Sequence, residues 1–333
     1  MNTALVYSPE LDFSLPDFAT LGAGSEGAGT SNVHAFDGSR ASRAFSVFQE
    51  TCKGARFQRL YPLMATRDEL RLALSEDYIA SLEDPTRSGS ILAQIIDVPA
   101  AATAPPGFMD RILLAPMRLA TGGTLVATRW VLAEARTSPA PIAINLGGGY
   151  HHGHRDHGEG FCVYNDIAIG AKTAEVEFGR ERILCVDLDA HQGNGTATHF
   201  ANNPKRGLLD LFNRDIWPRD SAALAGTRWP VPLPDGMHGP DYLRILADKL
   251  DTVFAEYQPD FVIYNAGTDT LDGDPLGRFH LSLPDILRRD DLVLNAAAKS
   301  KAPLIAVPSG GYTDHSHLAL AGLLDVATTP RTL

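Results

Sequence analysis

Short apolar runs, each closed by a polar or glycine-rich turn, alternate along the chain with stretches of helical spacing, and this alternation leaves few folds open. The runs at 141–146, 182–188, 207–212, 260–265 and 303–307 are apolar on both sides, as strands are when helices cover both faces of a parallel sheet. Helical patterns fall at 165–178, 196–201, 240–257, 285–300 and 317–326. Upstream, a strand is expected at 3–7, helices at 41–52 and within 66–82, and a long apolar helix at 112–135 packed on the sheet. A short strand is expected at 228–233, whereas the Gly/Ser-rich stretch 22–31 and the Ala/Pro-rich stretch 99–106 read as loops. Regular β/α alternation predicts a mostly parallel, doubly wound α/β sheet with helices on both faces. No repeat, low-complexity tract or linker divides it, so one domain over residues 1–333 is expected.

In such folds ligands gather beyond the carboxyl ends of the strands, and four polar clusters stand there. The run at 183–186 leads into Asp187, Asp189 and His191, which share one side of an extended chain with Leu188 and Ala190 opposite. Two carboxylates and an imidazole facing one way repel and desolvate one another unless a cation lies between them, which points to a divalent metal. The plainer alternative is that Asp189 and His191 only cap the helix starting near Asn194. A second cluster reads GGGYHHGHRDHGEGF and holds four of the eleven histidines. Its adjacent His151 and His152 suit proton transfer, whereas His154, Asp156 and His157 read as a solvated rim. A third, NAGTDTLDGDPLG, offers Asp269 as the third metal ligand, with Asp272 and Asp274 as turn formers. The fourth, PSGGYTDH, has paired Gly310 and Gly311 that let backbone approach a substrate, and Tyr312 as a hydrogen-bond donor. His34, Asp37 and Arg40 read as solvated loop residues.

Asp189, His191 and Asp269 leave a four-coordinate zinc with one open position, the pattern of a catalytic site; the same N/O set admits ferrous iron. Zinc lowers the pKa of water from 15.7 to about 7 and polarises a carbonyl. One of the paired histidines would take the water's proton, and Tyr312 would donate to the developing oxyanion, a contact typically worth about 3 kcal/mol.

Composition narrows the partners. The net charge of −11, without a basic run, argues against nucleic acid. Cys52, Cys162 and Cys185 are odd in number and far apart, which suggests reduced thiols and a cytoplasmic protein. The opening segment has no basic, apolar leader and no run is long enough to span a bilayer, so no membrane anchor is expected.

The segments GGGYHH, GFCVYND, VDLDAHQGNG, NAGTDTLDGDPLG and SGGY, in this order and spacing, resemble the zinc-dependent histone deacetylase family. More narrowly, VYSPE, HAFDG, TGGT, AHQGNG and YNAGTD resemble its class IV branch, and the resemblance runs from Val6 to about Gly322. It implies an arginase-like α/β fold and hydrolysis of an acyl group from a lysine side chain of a protein or peptide, long fatty acyl groups being preferred in the class IV branch. By position it makes Asp189, His191 and Asp269 the zinc ligands, His151 and His152 the tandem histidines, Tyr312 the carbonyl-polarising residue and Asp187 the carboxylate behind His151. Gly160, Phe161 and Leu276 fall where the family lines its lysine tunnel. A structural potassium ion is implied near Asp187, Asp189, His191, Asp210 and Leu211. Asn194 stands where some branches carry an aspartate behind His152, so a neutral amide orients that imidazole and raises its pKa less than a carboxylate would. Which histidine is the base stays open at this point.

Other readings use the same residues. A small acylated amine such as an acetylpolyamine is the alternative substrate, favoured by an acidic tunnel mouth to which Glu159 would contribute. A non-catalytic acyl-lysine binder would keep the fold without the chemistry, and a cysteine hydrolase built on Cys162 would leave the histidines and carboxylates without a role. The related ureohydrolases bind two manganese ions, but Gly193, Gly267 and Leu271 stand where further carboxylates would be needed, so one metal is expected. Trp229 is a candidate pocket wall.

Overall fold

The computed structural model describes residues 2–13 and 37–329; His34 and the stretch 22–31 lie outside the described residues. The strands are β1 (Thr3–Val6), β2 (Gln58–Leu60), β3 (Ile142–Asn145), β4 (Ile183–Asp187), β5 (Arg206–Asn213), β6 (Trp229–Leu233), β7 (Phe261–Asn265) and β8 (Leu304–Val307). Among the described residues they form one eight-stranded sheet in the order β2-β1-β3-β8-β7-β4-β5-β6, with every neighbouring pair parallel. This is the doubly wound α/β sheet that the alternation predicts.

Burial on both faces explains the apolar runs. Alternate residues of one strand enter different layers: Leu184 and Val186 of β4 pack in one cluster, Ile183 and Cys185 in another. The first layer is closed by α1 (Arg40–Thr51), α9 (Gly239–Tyr257), α10 (Leu283–Lys299) and α11 (Ser316–Thr328), through Phe48, Leu246, Val293 and Leu320 among others. The second is closed by α5 (Ala115–Glu134), α6 (Asp166–Phe178) and α7 (Asn194–Phe200), through Val131, Ile167 and Ala197. A third apolar cluster joins α3 (Glu76–Glu83) and α4 (Ser88–Ile95) to the start of α5 around Tyr78, Leu92 and Met117. Each fully buried aliphatic side chain contributes about 1.5–3 kcal/mol, and the sum offsets the cost of burying the polar groups at the sheet's carboxyl edge.

Several short elements depart from the expectations. β2 is an edge strand whose Gln58 and Arg59 are exposed, so it lacks the apolar signature of its neighbours. The helix α4 begins Ser-Gly-Ser, a turn-like start, and Pro99–Thr103 forms a 3-10 turn inside the expected loop. α2 (Arg67–Leu70) is separate from α3 and closes on a capping box between Thr66 and Glu69. α8 (Ser221–Gly226) was not expected. β6 is the other edge; Pro230 and Pro232 are its exposed residues and cannot donate to a further strand. Among the described residues no helix is long and apolar enough to cross a membrane.

Candidate active site

The four polar clusters leave β3, β8, β7 and β4, which are consecutive in the sheet. Asp187 is matched in register with Asn265, and Asn265 with Val307, so these strands stop at one level and their loops rise side by side. The site lies where the strand order reverses, the position at which open α/β sheets bind ligands.

Asp189, His191 and Asp269 bring one ligand atom each to within 4.8 Å of one another, and all three are buried. His191 Nδ1 lies 3.1 Å from Asp189 Oδ1 and 2.9 Å from Asp269 Oδ2. Backbone N–H groups hold the carboxylates: Gly310 donates to Asp189 Oδ2 at 2.8 Å, and Ala190 to Asp269 Oδ1 at 2.8 Å. A Cβ at Gly310 would stand 2.7 Å from an oxygen of each carboxylate, so only glycine lets this backbone approach so closely. Burial and the neighbouring Asp189 carboxylate push Asp269 up to about 7. A divalent cation relieves that repulsion, and the donor set of one imidazole and two carboxylates fits zinc or ferrous iron. Neither Asp189 nor His191 caps α7, whose N-cap is Gly193.

Behind these residues the tandem histidines have different partners. His151 Nδ1 is 2.9 Å from Asp187 Oδ2. Burial alone would lower its pKa, but the carboxylates of Asp187 and Asp189 overcome this and raise it to about 9. Asp187 is itself fixed by Asn265, whose Nδ2 donates to Oδ1 at 2.8 Å. His152 Nδ1 is 2.8 Å from Asn194 Oδ1. Burial, and after it the neighbouring His151, holds His152 well below the usual imidazole range. One histidine thus favours the charged form and the other the neutral form.

A cavity beside this group is lined by Asp189, His151, His152, Tyr312, Gly310, Gly160 and Phe161, and by the apolar Leu11, Phe13, Ile96, Leu113 and Met117. Burial and the carboxylates of Asp189 and Asp269 keep the Tyr312 phenol well above its ordinary pKa, so it stays a donor. Leu276 and Gly311 are not in this lining; Leu276 instead donates its N–H to Asp274 at 3.0 Å.

Several expectations are corrected. Asp274 is buried, not only a turn former: its Oδ1 accepts from Leu276 and Gly277, and its Oδ2 from the Tyr312 N–H at 2.8 Å, tying the Tyr312 loop to that of Asp269. Arg40 is buried, because its guanidinium caps the turn after β8 by donating to the carbonyls of Ser309 and Gly310. His154 is also buried, next to Glu159, Asn194 and Thr198, while Asp156 and His157 are exposed as expected. Trp229 packs on Tyr257 from the edge strand β6. Trp217, 45% exposed, stands edge-on to His152 at 4.7 Å between centroids.

Arg289 of α10 is a residue the motifs did not reveal. It is fully buried and donates to the carbonyls of Leu188 (3.3 Å) and Gly267 (2.6 Å) and to Thr270 Oγ1 (2.9 Å), so it clamps the two loops that carry Asp189 and Asp269. Asp290 neutralises it at 2.9 Å and accepts from the Tyr264 hydroxyl at 2.6 Å. Arg289→Leu leaves a buried carboxylate unpaired and is expected to cost about 3–5 kcal/mol in denaturant unfolding. A loss below about 1 kcal/mol would remove the clamp from this account.

Comparisons with known proteins agree with this geometry. The family profile described as "Histone deacetylase domain" matches residues 34–324. "Histone deacetylase 2" of Arabidopsis thaliana is 33% identical over 322 residues, covering 97% of this chain and 78% of that protein. "Acetoin utilization protein AcuC" of Bacillus subtilis is 31% identical over 269 residues, covering 75% of this chain and 66% of that protein. "Histone deacetylase 8" of Xenopus laevis is 30% identical over 202 residues, covering 58% of this chain and 59% of that protein. A match of this extent, along the segments that carry the buried polar groups, means that the chain belongs to the histone deacetylase family and is a hydrolase with the arginase/deacetylase α/β fold.

Proposed function

We propose that the protein hydrolyses the amide of N-ε-acyl-lysine in proteins or peptides, with a single zinc ion held by Asp189, His191 and Asp269 and the whole chain working as one catalytic unit. The observation that carries this reading is the convergence of those three ligand atoms, beside two differently partnered histidines, next to a cavity that Asp189, both histidines and Tyr312 line. A zinc ion there supplies Lewis acidity, lowering the pKa of water from 15.7 to about 7 and polarising a carbonyl. His152, held neutral with its Nδ1 on Asn194, is the base that takes the proton from the attacking water. His151, kept cationic by Asp187, stabilises the negative charge that develops. Tyr312 donates its phenolic proton in a hydrogen bond to the former carbonyl oxygen. When the C–N bond breaks, His152 returns the proton to the lysine nitrogen, so water divides between the carboxylate product and the freed amine.

The apolar side of the cavity, Leu11, Phe13, Ile96, Leu113 and Met117, supports an acyl chain longer than acetyl, in keeping with the class IV resemblance. Glu159, the rim carboxylate that a cationic small amine would need, turns instead to Asn194 and His154, which favours acyl-lysine over an acylated polyamine. Potassium fits beside Asp187, because Asp210 Oδ1 is buried without a hydrogen-bond partner and burial among carboxylates raises its pKa. Three free cysteines support a cytoplasmic setting.

The test is hydrolysis of one lysine peptide acylated with chains from acetyl to myristoyl, with and without a chelator. Release that stops with the chelator and rises with chain length is the expected result. Zinc-loaded protein that releases nothing from any peptide would overturn the proposal.

A further inference from the structure

We infer that Glu159 is a positioning residue for His152, acting through the side chain of Asn194; the role of His152 as base rests on the deacylase reading above, and the rest on geometry. Asn194 bridges the two residues, with its Oδ1 2.8 Å from His152 Nδ1 and its Nδ2 2.5 Å from Glu159 Oε1. An amide by itself does not settle which end faces which partner, since a half-turn of the side chain exchanges oxygen and nitrogen. Glu159 removes that freedom. A carboxylate only accepts, so the amide nitrogen faces Glu159 and the amide oxygen faces the imidazole. The oxygen also only accepts, so His152 carries its proton on Nδ1 and leaves Nε2, on the other side of the ring, with a free lone pair. That is the tautomer a general base needs. An aspartate at position 194 would impose it unaided. A solitary asparagine would serve equally well in the opposite orientation, giving its N–H to a bare Nδ1 and disarming the base.

Glu159 is itself held in place. His154 Nε2 lies 3.2 Å from its Oε1, and Thr198 Oγ1 lies 3.3 Å from the other nitrogen of His154. The hydrogen bond from His154, against partial burial, keeps the Glu159 carboxyl below its ordinary range and therefore ionised. The backbone is pinned as well: Cys162 donates its N–H to the Glu159 carbonyl at 2.8 Å. At Gly160 φ is +52°, and a Cβ there would press on His152 and Trp217. Its negative charge also polarises the Asn194 amide, which favours the imidazolium formed once His152 has taken a proton. The asparagine and the glutamate together thus do what a buried aspartate does alone, with the charge placed farther from the metal ligands.

The decisive variant is Glu159→Gln in the zinc-loaded full chain. Glutamine offers either an oxygen or an N–H, so both orientations of Asn194 become accessible. We expect kcat to fall about ten-fold, within the range typical of partners that orient a histidine, with KM and bound zinc unchanged. Nitrogen-15 spectra of His152 are expected to pass from the Nδ1–H tautomer to a mixture. In the Asn194→Asp background the same substitution should not lower kcat, since no amide is left to orient and the glutamine removes the repulsion between two adjacent carboxylates. An unchanged kcat with an unchanged spectrum, or an equal loss in both backgrounds, would overturn the inference. If the native protein hydrolyses no acyl-lysine peptide, the deacylase reading fails by itself. The spectra then decide alone: a tautomer change in Glu159→Gln upholds the positioning role, and identical spectra end it.

Discussion

In a His152→Ala variant, turnover of the acyl-lysine peptide falls by about 10²–10⁴-fold, the usual worth of a positioned general base, while the protein still binds one zinc ion. The two halves of this expectation have separate causes. His152 is hydrogen-bonded to Asn194 and to none of the three proposed metal ligands, and its ring centre is 6.1 Å from that of His191, so removing it leaves the metal donors as they are. What disappears is the imidazole that burial and the neighbouring His151 keep neutral. His151 does not replace it, because Asp187 holds that ring cationic, with its pKa raised to about 9. KM should change little, since the proton is transferred after substrate binds. Comparing kcat with zinc content in the same preparation makes the test. Normal turnover in a zinc-loaded variant would take His152 out of the mechanism.

Asp269→Asn has the second large effect, and it falls on the metal. The substitution keeps the shape of the side chain but deletes one of two negative charges and leaves a single carboxylate opposite His191. Zinc affinity should drop by more than the 10–100-fold that loss of an outer hydrogen-bond partner costs, and activity should return only in part with excess zinc. Competition with a chromogenic chelator gives the affinity directly. Full occupancy in the Asn variant at low free zinc would sink the assignment of Asp269 as a ligand. The two variants therefore separate: one loses rate and keeps metal, the other loses metal first.

Residues whose neighbours in sequence carry their meaning were legible from the chain alone. Asp187, Asp189 and His191 follow an apolar strand at alternate positions, and Asp269 follows another, so strand ends and period two place them together. Residues whose partners are distant were not. Arg40 reads as a loop cation until Ser309 and Gly310 are brought to it, and Asp274 as a turn former until Tyr312 arrives from the next strand. Arg289 carries no motif, since its partners are carbonyl groups that any sequence would supply. β2 leaves no periodic trace, because two of its three residues are exposed at the sheet edge. Trp229 reads as a pocket wall until the pairing of β6 with β5 sets it at the sheet edge against Tyr257.

The strand order also dictates when during synthesis this protein can mature. β8, the last strand of the described sheet in chain order, is inserted between β3 and β7, and neighbouring strands stand about 4.8 Å apart. Until it is in place, the loop bearing the tandem histidines has no fixed position relative to the metal donors, and Asp189 lacks the N–H of Gly310. A nascent chain released after Asp269 carries all three ligands yet no assembled centre. Zinc uptake at the proposed ligands is thus expected to wait for β8, and translation products that stop before it should fail to retain zinc although Asp189, His191 and Asp269 are all present.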